Sequence, residues 1–305
     1  MRVKIDNLFL KREGGEVLLK GISLTISPGE IVGLIGDSGA GKSLFSQAIG
    51  RLIEFDHGVI KLDQFSRVKK NLPEKLIIDS HSKGLQLHFL RKLVNVYIQY
   101  AEIQLFNETV EKEILYGPEN FGIPSEEALS FVNRVSERYF NFPWKKLKNR
   151  IPLTLSTGEK KKTCLLAVLA IQGELAVLDE AESGLDHNSL VGLLNFLNSE
   201  KKKKKSFLII SHNLTFLKQC ADRIVGIKNG KIIFDLPIRG FFSETGIELA
   251  RATGVYPEFI SECALELKKI FSDLSDELFL RLINAKSIEV VCFELDHFLE
   301  EKKIN

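Results

Sequence analysis

The chain is 305 residues long, 44% hydrophobic and 27% charged, with a net charge of +2. That is ample apolar sequence for a core, and so balanced a charge argues against a nucleic-acid surface, which needs a strongly basic domain. The longest apolar run, Cys164 to Ile171, is eight residues and closes at Gln172-Gly173-Glu174, so no stretch reads as a bilayer span. The first residues alternate like a strand and lack the apolar centre of a signal peptide, so the expectation is a cytoplasmic protein, soluble or peripheral. Cys164, Cys220, Cys263 and Cys292 lie far apart, without metal-ligand spacing, and read as reduced buried thiols.

Residues 1–35 read as strands and turns: Val3–Leu10, a turn at Gly14-Gly15, Val17–Ile26, then Ser27-Pro28-Gly29 and a buried strand, Glu30–Ile35. Directly after it, Gly36-Asp37-Ser38-Gly39-Ala40-Gly41-Lys42-Ser43 fills the pattern G-x-x-x-x-G-K-[ST] without a gap, and Leu44–Ile49 continues as a helix. Strand, glycine-rich turn and helix is the context this phosphate cradle needs. Loop N–H groups and the positive helix end then surround an anion. Lys42 is expected at the β- and γ-phosphates and the Ser43 hydroxyl on Mg²⁺. Gly39 and Gly41 let the backbone wrap the phosphate without a Cβ in the way. Residues Gly36 to Leu44 are thus expected to bind a nucleoside triphosphate.

Further on, Gly58–Asp63 reads as a strand, and residues 64–88, polar and holding Pro73 and Gly84, as a surface insertion without a clean period. Val94–Tyr100 reads as a strand carrying Gln99 at its end. Ser125 to about Tyr139 reads as a helix with Ser125 as N-cap and Glu126-Glu127 in the first turn. Thr163–Ala170 and Asn188–Leu197 read as helices, Leu175–Leu178 and Ser206–Ile210 as fully buried strands. The alternation predicts a mostly parallel sheet covered on both faces. Lys201–Lys205 reads as a solvated loop, with contact to anionic headgroups as the alternative. Past Pro237 the pattern is amphipathic helix: Ile260, Cys263, Ala264, Leu267, Ile270 and Phe271 share one face, and Asp276–Ile283 and Glu289–Leu299 look helical.

Asp179 and Glu180 close the buried run Leu175–Leu178. At a strand end beside the cradle, Asp179 is expected to hold the Mg²⁺ shell and Glu180 to polarise the water that attacks the γ-phosphate. Leu155-Ser156-Thr157-Gly158-Glu159 precedes a helix, Gly184-Leu185-Asp186 follows the acids, and His212 ends the strand Phe207–Ser211. In this order the set resembles the ATP-binding-cassette (ABC) ATPases: Walker A at 36–43, Q-loop at Gln99, signature at 155–159, Walker B at 175–180, D-loop at 184–186 and switch histidine at His212.

The resemblance covers about residues 1–237. It implies an α/β nucleotide-binding fold with a RecA-like, mostly parallel sheet, an antiparallel β subdomain and a helical subdomain at about 101–168. A C-terminal helical extension would occupy 238–305. It also implies a head-to-tail dimer in which Walker A of one subunit binds ATP with Mg²⁺ and the partner's signature caps it. Ser156 and Gly158 would meet the partner's nucleotide, His212 would sense the γ-phosphate, and Gln99 would join Ser43 and Asp179 at the metal.

A finer likeness is to the ATPase subunits of energy-coupling factor (ECF) importers. It lies in Gln104-Leu105-Phe106, Glu108-Thr109-Val110, the stretch Gly117-Pro118-Glu119-Asn120-Phe121-Gly122 and Gly254-Val255-Tyr256-Pro257. Such systems, which take up vitamins or transition-metal ions, pair two similar ATPases with a transmembrane coupling protein and a substrate-binding membrane subunit. The implied location is the cytoplasmic membrane face, and Ala101–Phe106 would line the groove for a coupling helix.

The chain departs from the family at four places. Thr157 stands where Gly is usual and Glu159 where Gln is usual, Ala181-Glu182 replaces Pro-Thr, and no aromatic stands near Lys11–Arg12 to stack on adenine. Arg12 through its guanidinium plane, or Phe9, is the substitute. Two other readings are an ATPase-dead partner of an active subunit and a soluble ABC protein acting on ribosomes or DNA. One Walker A and no heptad run speak against the latter.

Overall fold

The computed structural model describes residues 1–65 and 74–254 continuously and, beyond them, residues 267, 268, 275, 278, 282, 291, 294, 295 and 298. Ten strands are present among these: β1 (Arg2–Lys11), β2 (Val17–Ile26), β3 (Ile31–Ile35), β4 (His57–Asp63), β5 (Leu76–Ile78), β6 (Val94–Tyr97), β7 (Leu175–Asp179), β8 (Ser206–Ile210), β9 (Arg223–Lys228) and β10 (Lys231–Pro237). The helices are α1 (Lys42–Ile49), α2 (Leu85–Leu93), α3 (Val110–Asn120), α4 (Ser125–Arg138), α5 (Trp144–Leu147), α6 (Thr157–Ala170), α7 (His187–Lys202), α8 (Leu214–Cys220), α9 (Ile238–Phe241) and α10 (Glu244–Ala252).

The strands form two sheets. One is antiparallel in the order β2-β1-β4-β5; the other has the order β10-β9-β3-β8-β7-β6, parallel except for its β10 edge. The parallel strands are short, apolar and buried on both faces, as crossover connections require. Along β7, Leu175 and Val177 join the core shared with the antiparallel sheet and α1, whereas Ala176 and Leu178 join the core under the helices. Period-two alternation thus feeds two cores from one strand.

β3 is central, with β8 and β9 at its sides, so the turn after it opens at the carboxyl end of the sheet, where such folds bind ligands. The Walker B acids and the switch loop leave β7 and β8 at the same end. No helix among the described residues is long and apolar enough to cross a membrane.

Several expectations need correction. The segment 64–88 is no plain insertion: β5 adds a strand to the antiparallel sheet, pairing Ile60 with Ile78, and α2 begins at Leu85. Ser125 does not cap α4. Pro124 holds that position, and the Ser125 hydroxyl donates to Glu119 Oε1 at 2.9 Å instead. The signature helix starts at Thr157 rather than Thr163, because Ser156 and Glu159 form a capping box that draws the preceding residues into the first turn.

The lysine run is not one loop. Lys201 and Lys202 finish α7, Lys201 pairs with Asp222 and Lys203 with Glu200, and Lys205 is buried. Cys164 and Cys220 are buried thiols, each pushed up to about 12 by burial. Cys263 and Cys292 lie outside the described residues. So do Ile260, Ala264, Ile270 and Phe271, while Leu267 packs on the core.

Candidate functional site

The cradle is built by one left-handed turn. Gly41 caps α1 with φ 104°, a conformation that carries no penalty only for glycine, and a Cβ there would stand 3.0 Å from Leu19. Gly39 is left-handed too (φ 78°) with open space around it, so its need is conformational and not steric. Lys42 is buried, and its Nζ donates to the carbonyls of Gly36 (2.7 Å) and Asp37 (2.8 Å). Burial holds its ammonium below the ordinary lysine value, against the attraction of Asp179, Glu180 and Asp37. A buried cation held by two neutral carbonyls can turn to an anion in the cleft.

Ser38, Gly39, Gly41, Lys42, Ser43, Leu44, Gln99, Glu180 and His212 line one cleft. Gln99 lies just past β6, which ends at Tyr97 and not, as the pattern suggests, at Gln99; Tyr100 then turns left-handed (φ 58°). That turn brings Gln99 Nε2 to Glu180 Oε2, to which it donates at 2.8 Å. His212 Nε2 stands 3.6 Å from Glu180 Oε1. Glu180 itself is left-handed (φ 53°), with its N–H on the Ile210 carbonyl, a strained backbone of the kind found where a side chain must be aimed. Burial and the Lys42 charge hold His212 below its ordinary value, so it is neutral at pH 7.

Asp179 is 1% exposed. Burial, with the Glu180 charge adding, raises its carboxyl above the ordinary value, opposed by the Ser43 hydroxyl that bonds it and by Lys42. Its Oδ2 has no hydrogen-bond partner. An orphaned carboxylate oxygen beside a serine hydroxyl suits a hard cation such as Mg²⁺, which takes one or two protein oxygens and completes its shell with phosphate and water.

Other expected residues stand elsewhere. Ser156 and Gly158, at the α6 N-terminus, do not line the cleft. Arg12 sits exposed in the β1–β2 turn, its N–H on the Glu16 carbonyl, and does not line the cleft either; Phe9 packs beside Gly21 on the antiparallel sheet. Leu105 is buried in the core and does not form the outer apolar surface expected of it. The exposed members there are Tyr100, Ile103 (80%), Phe106 (64%) and Tyr116, with the Phe106 and Tyr116 rings edge to face at 5.0 Å. Sequence reasoning missed the contact of the C-terminal segment with the cradle: the Asp37 N–H donates to the Thr253 carbonyl at 2.9 Å, beside Gly254. A Gly after an amphipathic helix is the only signal for it.

A phosphate cradle with its lysine, a buried aspartate bonded to the cradle serine, and a glutamate held between Gln99 and His212 form the site of a P-loop nucleoside triphosphatase. The family model described as ABC transporter matches residues 19–183. The energy-coupling factor transporter ATP-binding protein EcfA2 of Clostridium perfringens is 30% identical over 284 residues, covering 92% of this chain and 94% of that protein. The EcfA2 of Caldanaerobacter subterraneus is 32% identical over 274 residues, covering 88% and 90%.

Two solved structures share the fold. One is the ATP-binding subunit of an ABC transporter (TM-score 0.66, 20% identity, 88% of this chain and 100% of that one). The other is cbiO1 of Clostridium perfringens, part of the ABC transporter complex cbiONQ (TM-score 0.63, 24% identity, 86% and 97%). The chain belongs to the ABC transporter family, and within it to the ATP-binding proteins of energy-coupling factor transporters. It binds ATP and is an ATPase coupled to transport.

Proposed function

We propose that this chain hydrolyses ATP to drive a micronutrient importer of the energy-coupling factor type, its cargo a vitamin or a transition-metal ion. It would work at the cytoplasmic membrane face beside a second, similar ATPase, a transmembrane coupling protein and a substrate-binding membrane subunit, with no nucleic acid involved. The observation that carries the catalytic reading is the Glu180 carboxylate, which accepts from Gln99 and faces neutral His212 in the cleft that holds Lys42.

In this reading the N–H groups of Gly36 to Leu44 cradle the phosphates and Lys42 turns from its loop carbonyls to the β- and γ-oxygens. Glu180 takes a proton from the attacking water, and Gln99 and His212 hold that carboxylate in line. Ser43, Asp179 and Gln99 would hold Mg²⁺, which would supply positive charge to offset that of the phosphates. Ser156 and Gly158 would act on a partner's nucleotide, since they stand away from their own cleft. Arg12 or Phe9 would face the adenine. Residues 1–237 would form the ATPase domain, with 238–305 appended.

The exposed patch of Tyr100, Ile103, Phe106 and Tyr116, directly after Gln99, supports a groove for a membrane partner's helix. The second reading, a degenerate partner of an active ATPase, is favoured by one observation: the Ser156 hydroxyl and N–H are both spent on the Glu159 carboxylate.

Turnover of the purified complex separates the two. If this chain is catalytic, Lys42→Ala weakens ATP binding, and Glu180→Gln keeps binding while turnover falls by about 10²–10⁴. Near-normal turnover in Glu180→Gln would overturn the role of Glu180.

A further inference from the structure

The residue two places after the catalytic pair does not belong where it stands by ordinary rules. Glu182 is 9% exposed, and its Oε2 is buried without a hydrogen-bond partner. Its Oε1 accepts from the hydroxyl of Ser211, which is wholly buried. A half-satisfied buried carboxylate is expensive, so an arrangement that keeps one needs a reason.

The reason lies in what Ser211 holds. Its hydroxyl donates to Glu182 and accepts the Asn213 N–H at 2.9 Å. Asn213 in turn caps α8, its Oδ1 taking the Phe216 N–H at 2.8 Å. Both neighbours of His212 are therefore anchored, whereas the imidazole is half exposed and among the described residues is paired with Glu180 alone, at 3.6 Å. At the other end, the Glu182 carbonyl accepts the Leu185 N–H at 3.2 Å and closes the turn that leads to Asp186. One residue thus joins the end of β7, the 184–186 turn and the loop after β8. Threonine, usual at this position in the family, carries its side-chain oxygen two bonds nearer the backbone than glutamate does.

We infer that Glu182 is a positioning residue for hydrolysis, fixing the loop that carries His212 through the Ser211 hydroxyl. The inference rests on the proposed role of His212. Glu182 does not line the cleft; it acts only by where it sets the imidazole. Asp179 and Glu180 are the charged groups nearest to it along the chain, and with burial they favour its neutral form. In either protonation state an oxygen remains to pair with Ser211.

The test is steady-state ATPase of the complex assembled with the full-length chain, in four variants and one control beside the parent. Glu182→Ala and Ser211→Ala should each lower kcat about 10- to 100-fold, the scale of an ångström-sized misplacement. KM for ATP should stay within about twofold, because the cradle is untouched. The double variant should be no worse than either single one, since both changes cut the same link. Glu182→Gln keeps an accepting oxygen and should keep most of the activity.

His212→Ala is the control. If it leaves kcat intact, the sensor reading fails; if it lowers kcat while Glu182→Ala does not, only the positioning role fails. Additive losses, or a raised KM with unchanged kcat, also overturn it. Should Glu182→Ala fold poorly, amide exchange at Asn213 in Glu182→Gln and in Glu182→Met, which keeps the bulk but no accepting oxygen, decides without turnover. Protection should persist in the first and fall in the second, and equal protection in both would refute the link.

Discussion

Replacing Glu159 by Gln tests the altered signature most directly. Glu159 Oε2 accepts both the N–H and the hydroxyl of Ser156, each at 2.8 Å, and so lies at the positive end of α6. A phosphate oxygen received by the same hydroxyl would sit about 2.7 Å from it, leaving the two anions roughly 4–5 Å apart. At an effective dielectric near 20, full charges at that distance repel by about 3–4 kcal/mol. Swinging the carboxylate away is cheaper, since a lost cap costs about 1 kcal/mol, so the lower figure governs. One kcal/mol is about a factor of five. The ATP concentration for half-maximal turnover at the site this signature would complete in the proposed dimer should therefore fall by up to about fivefold in Glu159→Gln. Thr157→Gly should add to it. Because both Ser156 donors hold the Glu159 carboxyl below its ordinary value, it stays ionised down through the carboxylate range. The gain should be flat between pH 6 and 8. An unchanged or higher half-maximal concentration would refute the reasoning.

Three more outcomes follow from the geometry. Ile103→Asp with Phe106→Asp should leave nucleotide binding intact and abolish co-purification with the membrane subunits, while Leu105→Asp, a charge in the core, should fail in a thermal melt first. Gly254→Ala would put a Cβ 1.8 Å from Asp37 Oδ1 at φ 77°; a left-handed alanine costs about 1–2 kcal/mol, so Tm should drop by about 2–8 °C. An unchanged melt would show that the contact on the cradle does not bear on stability. In a complex of unlike ATPases, Glu180→Gln in this chain should remove more turnover than the equivalent change in its partner, because in the proposed head-to-tail dimer this chain's Walker site would be completed by the partner's signature; equal losses would count against unequal sites.

The cradle and the Walker B acids were readable because each is a run of adjacent residues whose spacing is the chemistry. The parallel strands were readable for the same reason: Leu175–Leu178 and Ser206–Ile210 are short, wholly apolar and bounded. What could not be read depended on partners far along the chain. β5 is three residues long and exists only because Ile60 and Leu62 offer it a ladder. Leu105 sits between exposed neighbours, and nothing local says that it turns inward. The contact of Thr253 with Asp37 spans the whole domain. Helix ends were misjudged where a side chain served another purpose, as when Ser125 reached for Glu119 and left the cap to Pro124.

The signature helix shows why such a departure persists. α6 opens with Thr157 and Gly158, poor helix formers, and its first N–H groups have no partners within the helix. In a single chain, Ser156 and Glu159 satisfy one another and supply the negative charge that this helix end favours. In the proposed dimer a partner's γ-phosphate would need the same donors and the same field. With Gln at 159 the box can form without the charge, so the phosphate meets a cap but no anion. With Glu the helix start is more secure alone and less open to a ligand. Local stability and phosphate capture therefore compete for one hydroxyl, Ser156 Oγ, and the side chain at 159 decides the balance.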